Sequence, residues 1–271
     1  MPEIPEIERY KHLIKDKGLD TRVIEIKILD KDVISNSESQ EIRDILKDSE
    51  FKKIERIGKY LCISTDNSQS LEWHFGMTGL PYFFTKENKP DYTRVLLTFE
   101  SDLKLAFVDA RKLGKMRVVK NKDEVISKHH LGVDALSVSA EKFKEVFSKS
   151  TAMAKTGLMN QSYICGIGNL YSDEILFQAK IYPKTKLKDL EESKLEELYS
   201  TMKSVLDESI KIVGKQENSS HYHESGNDFP DDFLIAHRKK GGNCPDCGGE
   251  VKNMKIGGRT CYYCLRCQTR A

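Results

Sequence analysis

The 271-residue sequence has no run of ~20 apolar residues, the length a membrane span requires, so no membrane partner is expected. Its first ten residues carry Glu3, Glu6 and Glu8 and lack an apolar stretch. That excludes a signal peptide and sets the expectation of a cytoplasmic protein. Net charge is small, at +2, so overall charge does not announce a nucleic-acid partner. Internal repeats and low-complexity tracts are missing. Cysteine is almost absent before residue 244, where only Cys62 and Cys165 occur. These two read as structural or incidental.

The other five cysteines lie between Cys244 and Cys267. A cluster of this kind in an intracellular chain reads as metal binding rather than as disulfides. Cys244-x2-Cys247 and Cys264-x2-Cys267 are separated by 16 residues, the pattern of a four-cysteine zinc site. Four thiolates leave no open coordination position, so the zinc is expected to be structural and single. Cys261 is off-register and is expected not to be a ligand. Residues 250–263 are expected to form a β-hairpin turning at Gly257-Gly258-Arg259. From His237 to Ala271, eight Lys/Arg stand against Asp246 and Glu250, which makes this end a basic module.

Residues 2–17 read as a helix, with Ile7, Tyr10, Leu13 and Ile14 on one face and a stop at Gly18. Arg22 to Leu29 alternates, placing Ile24, Ile26 and Ile28 on one side of a strand. Further strand patterns cover 60–64, 70–74, 94–99, 103–108 and 116–119. The first ~130 residues therefore predict a helix followed by a β-rich sandwich or barrel. Leu131 to Leu136 reads as a linker. Four helical patterns follow, at 139–149, 155–160, 169–179 and 190–213, with Cys165-Gly166-Ile167-Gly168-Asn169 as a break between two of them. A helix N-terminus after such a break can meet a phosphate. An ordinary helix connection fits it as well. The polar stretch 214–230 is a long loop, and its His221 and His223 receive no role. The resulting class is α+β: a β-sandwich domain at 1–130, a helical domain at 131–236 and a four-cysteine finger at 237–271.

Pro2 offers a second kind of chemistry. With Met1 removed, it presents a secondary α-amine that titrates near ~8, below a lysine. Such an amine attacks a sugar or aldehyde carbon and forms a Schiff base. Glu3 and Glu6 are close enough in sequence to move protons for it. Equally, proline and acidic residues suit the first turn of a helix. Three loops add to the pattern: Gly58-Lys59-Tyr60, His74-Phe75-Gly76-Met77-Thr78-Gly79 and Asp109-Ala110-Arg111-Lys112-Leu113-Gly114. An apolar wedge beside a basic side chain is what unstacks a base and fills its place. Arg259 in its turn suits a phosphate.

In this order, the motifs resemble the family of formamidopyrimidine-DNA glycosylase and endonuclease VIII. The resemblance runs from Pro2-Glu3-Ile4-Pro5-Glu6 through Lys59, His74–Gly79, Asp109–Gly114 and Gly166–Glu174 to Arg259 inside the finger. It implies a bifunctional DNA glycosylase and AP lyase of base excision repair. Its partner is duplex DNA carrying damaged bases or abasic sites, and it needs no NAD, ATP or divalent metal for the reaction. Pro2 would attack C1′ of a flipped nucleotide, with Glu3 as proton donor and Glu6 in support. Lys59, Asn169 and Arg259 would hold phosphates, with His74 and Lys155 also at the DNA. Met77, Arg111 and Leu113 would fill the vacated space. Leu113 stands where members directed at oxidised purines usually carry an aromatic wedge. A helix-two-turn-helix fold and a monomer are implied. The alternative is a non-catalytic finger protein that binds distorted DNA.

Overall fold

Helix α1 covers Ile4–Gly18 and sets the position of everything at the N-terminus. It begins two residues later than the sequence predicts. Glu3 is its N-cap, extended at φ −115°, and forms a reciprocal capping box with Glu6. The Glu3 amide donates to Glu6 Oε2 at 2.7 Å. Two otherwise orphaned amides are thereby satisfied, and the chain turns sharply enough to leave Pro2 outside the helix. The proline that suits the first turn is Pro5.

The structure, a computed structural model, describes residues 1–35, 39–85, 89–215 and 242–268. The expected loop at 214–230, with His221 and His223, therefore lies almost wholly outside the described residues. So does the part of the basic module at 237–241. Among the described residues, no helix is long and apolar enough to cross a membrane. The chain falls into two units, one built on Met1–His130 and the other on Leu131–Ile212 with the finger.

The first unit is a sandwich of two four-stranded antiparallel sheets. One sheet contains β1 (Val23–Ile28), β5 (Leu80–Phe84), β6 (Thr93–Phe99) and β7 (Lys104–Val108), in the order β1-β6-β7-β5. The other contains β2 (Phe51–Ile57), β3 (Tyr60–Thr65), β4 (Ser70–His74) and β8 (Lys115–Val119), in the order β2-β3-β4-β8. Both sheets and α1 share one core, which includes Tyr10, Phe51, Trp73, Phe75, Phe99 and Phe107. Helices α2 (Ser39–Leu46) and α3 (Lys122–His129) also belong to this unit.

The alternation expected of β1 is broken. A bulge between Val23 and Glu25 shifts the register against β6. Val23 and Ile26 are buried while Ile24 faces out, 43% exposed. One extra residue reverses which face a side chain occupies.

The second unit opens with β9 (Val133–Asp134), which pairs in parallel with β10 (Ile164–Cys165). The segment expected as a linker is thus part of this unit's framework. Helices α4 (Ala140–Phe147), α5 (Ala154–Met159), α6 (Asn169–Gln178) and α7 (Glu192–Gly214) follow. Strands β11 (Val251–Ile256) and β12 (Arg259–Cys264) make the finger hairpin. Gly257 and Gly258, at φ +55° and +75°, supply its two-residue turn. Two consecutive left-handed residues match the twist of a tight hairpin, and glycine adopts them without a steric penalty.

Candidate active site

The N-terminal residues of the first unit sit in a desolvated, charged setting. Pro2 is buried, and Glu3, Glu6 and Lys59 are 3%, 3% and 7% exposed. The ammonium of Met1, the residue before Pro2, is held below the ordinary value of an α-amine, chiefly by burial. Glu3 and Glu6 oppose this shift, while Lys59 and Arg111 add to it. The amine, both carboxylates, Lys59 and Arg111 therefore share one electrostatic neighbourhood.

Lys59 arrives there on the β2–β3 turn, and α1 fixes that turn. Arg56 Nε donates to Glu8 Oε1 of α1 at 2.6 Å, and its Nη1 donates to the Gly58 carbonyl at 2.9 Å. Both side chains are almost fully buried. Burial raises the Glu8 carboxyl, but Lys11 and Arg56 outweigh it and hold the group below the usual carboxylate value. The pair couples the helix that carries Glu3 to the turn that carries Lys59.

The loops bearing Met77 and Leu113 are bound together by Asp109, a fully buried residue. Its Oδ1 accepts from Thr78 Oγ1 at 2.5 Å and from the Arg111 amide at 3.2 Å. Its Oδ2 accepts from the Gly114 amide at 2.7 Å. Leu113 is 44% exposed, Arg111 is exposed and Met77 is half-buried. Sequence reasoning included Asp109 in a motif without giving it a task. An aspartate five residues before a glycine was the available signal, since its carboxylate can collect the amides of the turn between them.

Gly76 makes the same junction sterically possible. It adopts φ +61°, and a Cβ there would lie 2.4 Å from the Gly114 nitrogen. Gly76→Ala combines left-handed strain with a backbone clash. It should lower stability by about 3 kcal/mol or more, measured as a denaturant midpoint shift against the parent.

His74 closes β4 and is half-buried. Its Nδ1 accepts from the Gly76 amide at 3.2 Å, and its ring centroid is 4.7 Å from that of Tyr60. Burial pushes its pKa from 6.5 down to about 4, with Lys59 pushing the same way and Glu72 and Asp109 opposing. The folded protein thus refuses a proton that the unfolded chain accepts. Stability should fall as pH drops from about 6.5 toward 4, by about 2 kcal/mol at pH 5. Melting curves at pH 7 and pH 5 should show a smaller acid loss for His74→Gln than for the parent.

In the second unit, Asn169 begins α6 and donates from Nδ2 to the Thr260 carbonyl of β12 at 3.1 Å. Arg259 is exposed at the start of β12. Lys155 is placed differently from the sequence expectation of a DNA contact. It is wholly buried and paired with buried Asp173 at 2.6 Å. It also donates to the Asn169 carbonyl and to Ser172 Oγ, both at 2.7 Å. Every ammonium proton is engaged inside the fold, which leaves the side chain no reach to a phosphate. Asp173 Oδ2 accepts the Tyr262 amide at 3.3 Å, so the Lys155–Asp173 pair braces α6 against the finger.

The Sγ atoms of Cys244, Cys247, Cys264 and Cys267 all lie within 4.8 Å of one another and could hold a metal ion. Cys244 faces Cys267 at 3.6 Å, and Cys247 faces Cys264 at 3.5 Å. Cys62, Cys165 and Cys261 are buried outside this group. Gln268 docks the group: it accepts the Cys264 amide at 2.7 Å and donates to the Ile181 carbonyl at 2.9 Å.

Family models place this geometry. Residues 1–116 match the formamidopyrimidine-DNA glycosylase N-terminal domain, and residues 131–220 match the helix-two-turn-helix domain of the same enzyme. The formamidopyrimidine-DNA glycosylase of Ureaplasma parvum is 31% identical over 99% of this chain and 100% of its own length. That of Syntrophomonas wolfei is 32% identical, again covering 99% of this chain and all of the relative. The chain belongs to the formamidopyrimidine-DNA glycosylase family. Solved structures of the family agree in fold. The Lactococcus lactis enzyme, non-covalently bound to DNA containing an AP site, superposes with a TM-score of 0.86 at 25% identity, covering 99% of this chain and 100% of that one. The same enzyme with DNA containing an N7-benzyl-Fapy-dG lesion gives 0.88 at 26% identity and the same coverage.

Proposed function

We propose that this chain is a base-excision-repair DNA glycosylase with AP lyase activity, acting on duplex DNA that carries oxidised bases or abasic sites. The observation that carries the proposal is Pro2 buried at the head of α1, next to the Glu3–Glu6 capping box and the buried Lys59. Once Met1 is gone, burial would favour the neutral, nucleophilic form of the Pro2 amine. Simple DNA binding has no use for that arrangement, so the non-catalytic alternative is not favoured.

After removal of Met1, the Pro2 nitrogen attacks C1′ of the flipped nucleotide and the C1′–base bond breaks. Glu3 supplies the proton for sugar ring opening, and Glu6 holds Glu3 in place through the capping box. The resulting Schiff base makes the C2′ proton acidic. Its removal expels the 3′ phosphate, and a second elimination expels the 5′ phosphate. Lys59, His74, Asn169 and Arg259 face the backbone around the lesion. Met77, Arg111 and Leu113 fill the emptied position. Lys155 serves by bracing Asn169. Residues 1–130 carry the chemistry, 131–236 the helical DNA-binding part and 237–271 the finger. The protein acts as a cytoplasmic monomer.

Zinc is the metal that suits the four cysteines. Thiolates at ~2.3 Å around a tetrahedral ion stand ~3.8 Å apart, close to the facing pairs at 3.5 and 3.6 Å. When bound, it would tie the two cysteine turns together and so hold the Arg259 hairpin.

The proposal is tested with duplexes carrying 8-oxoguanine, a formamidopyrimidine, an oxidised pyrimidine or an abasic site. Base release and strand nicking on at least one lesion are expected. Tight binding without either would favour the non-catalytic alternative.

A further inference from the structure

Tyr92 is an aromatic residue to which the mechanism gives no task. Its side chain is 61% exposed, the most of any large apolar or aromatic residue among the exposed ones described. Its backbone stands at φ +57°, in the left-handed region that bulky residues avoid. The other non-glycine residues described there are polar or charged. Strain of this kind persists where surrounding bonds impose it, and it concentrates at functional surfaces.

Those bonds lead to the loop that carries Arg111 and Leu113. The Asp109 amide donates to the Tyr92 carbonyl at 3.1 Å. Arg94, two residues on, donates from Nε to the Asp109 carbonyl at 2.7 Å. Its guanidinium, paired with Asp30 at 3.3 Å, also stands 5.9 Å from the Tyr92 ring centroid. Tyr92 is therefore pinned at the foot of the Asp109 loop, with its ring turned to solvent beside a cation. The ring is costly to hold there and contributes little to the core. An exposed aromatic face of this kind stacks on a nucleobase or sugar.

We propose that Tyr92 is a further DNA-contacting residue. Its ring lies against a base or sugar face of the duplex beside the positions that Met77, Arg111 and Leu113 reach. The inference rests on the glycosylase reading of that loop.

Tyr92→Gly removes the ring without adding strain, because glycine adopts φ +57° freely. Its thermal midpoint should equal or exceed the parent's. Its affinity for a duplex containing a tetrahydrofuran abasic analogue should fall about tenfold, the loss of one stacking contact. Tyr92→Phe should stay within about twofold of the parent. The slope of log affinity against log salt should not change in Tyr92→Gly, whereas Arg259→Ala, the loss of a phosphate contact, should reduce it by about 0.9. Should Tyr92→Gly fold poorly, Tyr92→Asn, which also tolerates this conformation, repeats the measurement. A Tyr92→Gly protein that folds and binds the duplex like the parent overturns the inference, and so does equal loss in Tyr92→Phe. A ring kept for a protein partner would give the first of these results. If the parent itself fails to prefer the abasic duplex, the reading of the whole loop fails instead.

Discussion

Glu3→Gln should abolish base release while leaving duplex affinity within a few-fold of the parent. Glu3 is 3% exposed and caps α1. Glutamine keeps the size of the side chain and a carbonyl oxygen for the Glu6 amide, so the helix start survives. The Glu3 amide still donates to Glu6 Oε2. What disappears is the exchangeable carboxyl proton beside the terminal amine. Loss of a positioned acid–base group costs about 10²–10⁴ in rate. Single-turnover base release, measured alongside gel-shift affinity, separates the two effects. Near-parental base release would remove Glu3 from the chemistry.

Metal removal should produce the second large loss. Elemental analysis should find one zinc per chain, and a chelator that extracts it should weaken duplex binding by more than about 100-fold at fixed salt. A structural zinc contributes on the order of 10–16 kcal/mol to a small finger, more than a two-stranded hairpin can replace. The consequences reach beyond Arg259. Asn169 would lose its bond to Thr260, and the buried Asp173 would lose the Tyr262 amide. Cys264→Ser should behave like the chelated protein, while Cys261→Ala should keep its zinc. Unchanged binding by metal-free protein would make the finger dispensable.

The cysteine pairs were legible because their spacing is local. Each pair encodes its own turn, and the hairpin between them needs no distant information. The four helices after residue 139 were legible for the same reason, through periodicity. Strands β2 and β5 were not. β2 presents Lys52, Lys53 and Glu55 outward, and β5 contains Pro81, a residue tolerated because β5 is an edge strand. Among the α-helices, α3 buries only Val125 and owes its start to Asn121, whose Oδ1 accepts the Asp123 and Glu124 amides.

Site legibility divides in the same way. Pro2, Glu3 and Glu6 are neighbours in sequence, so their chemistry could be read directly, although the capping box moved the helix start beyond Pro2 and Glu3. Lys155 could not be placed, because its burial depends on Asp173, eighteen residues away. The role of Asp109 depends on Thr78, and the backbone strain at Tyr92 lies beside Asp109. Such long-range closures leave no periodic trace in a sequence.

The central claim is that the Pro2 nitrogen is the nucleophile. Borohydride reduction of the protein with abasic-site DNA, followed by peptide mass analysis, tests it most directly. The account predicts a covalent adduct on a chain that has lost Met1, with the added sugar on Pro2. Trapping at Lys59, or active lyase on a chain that retains Met1, would contradict it.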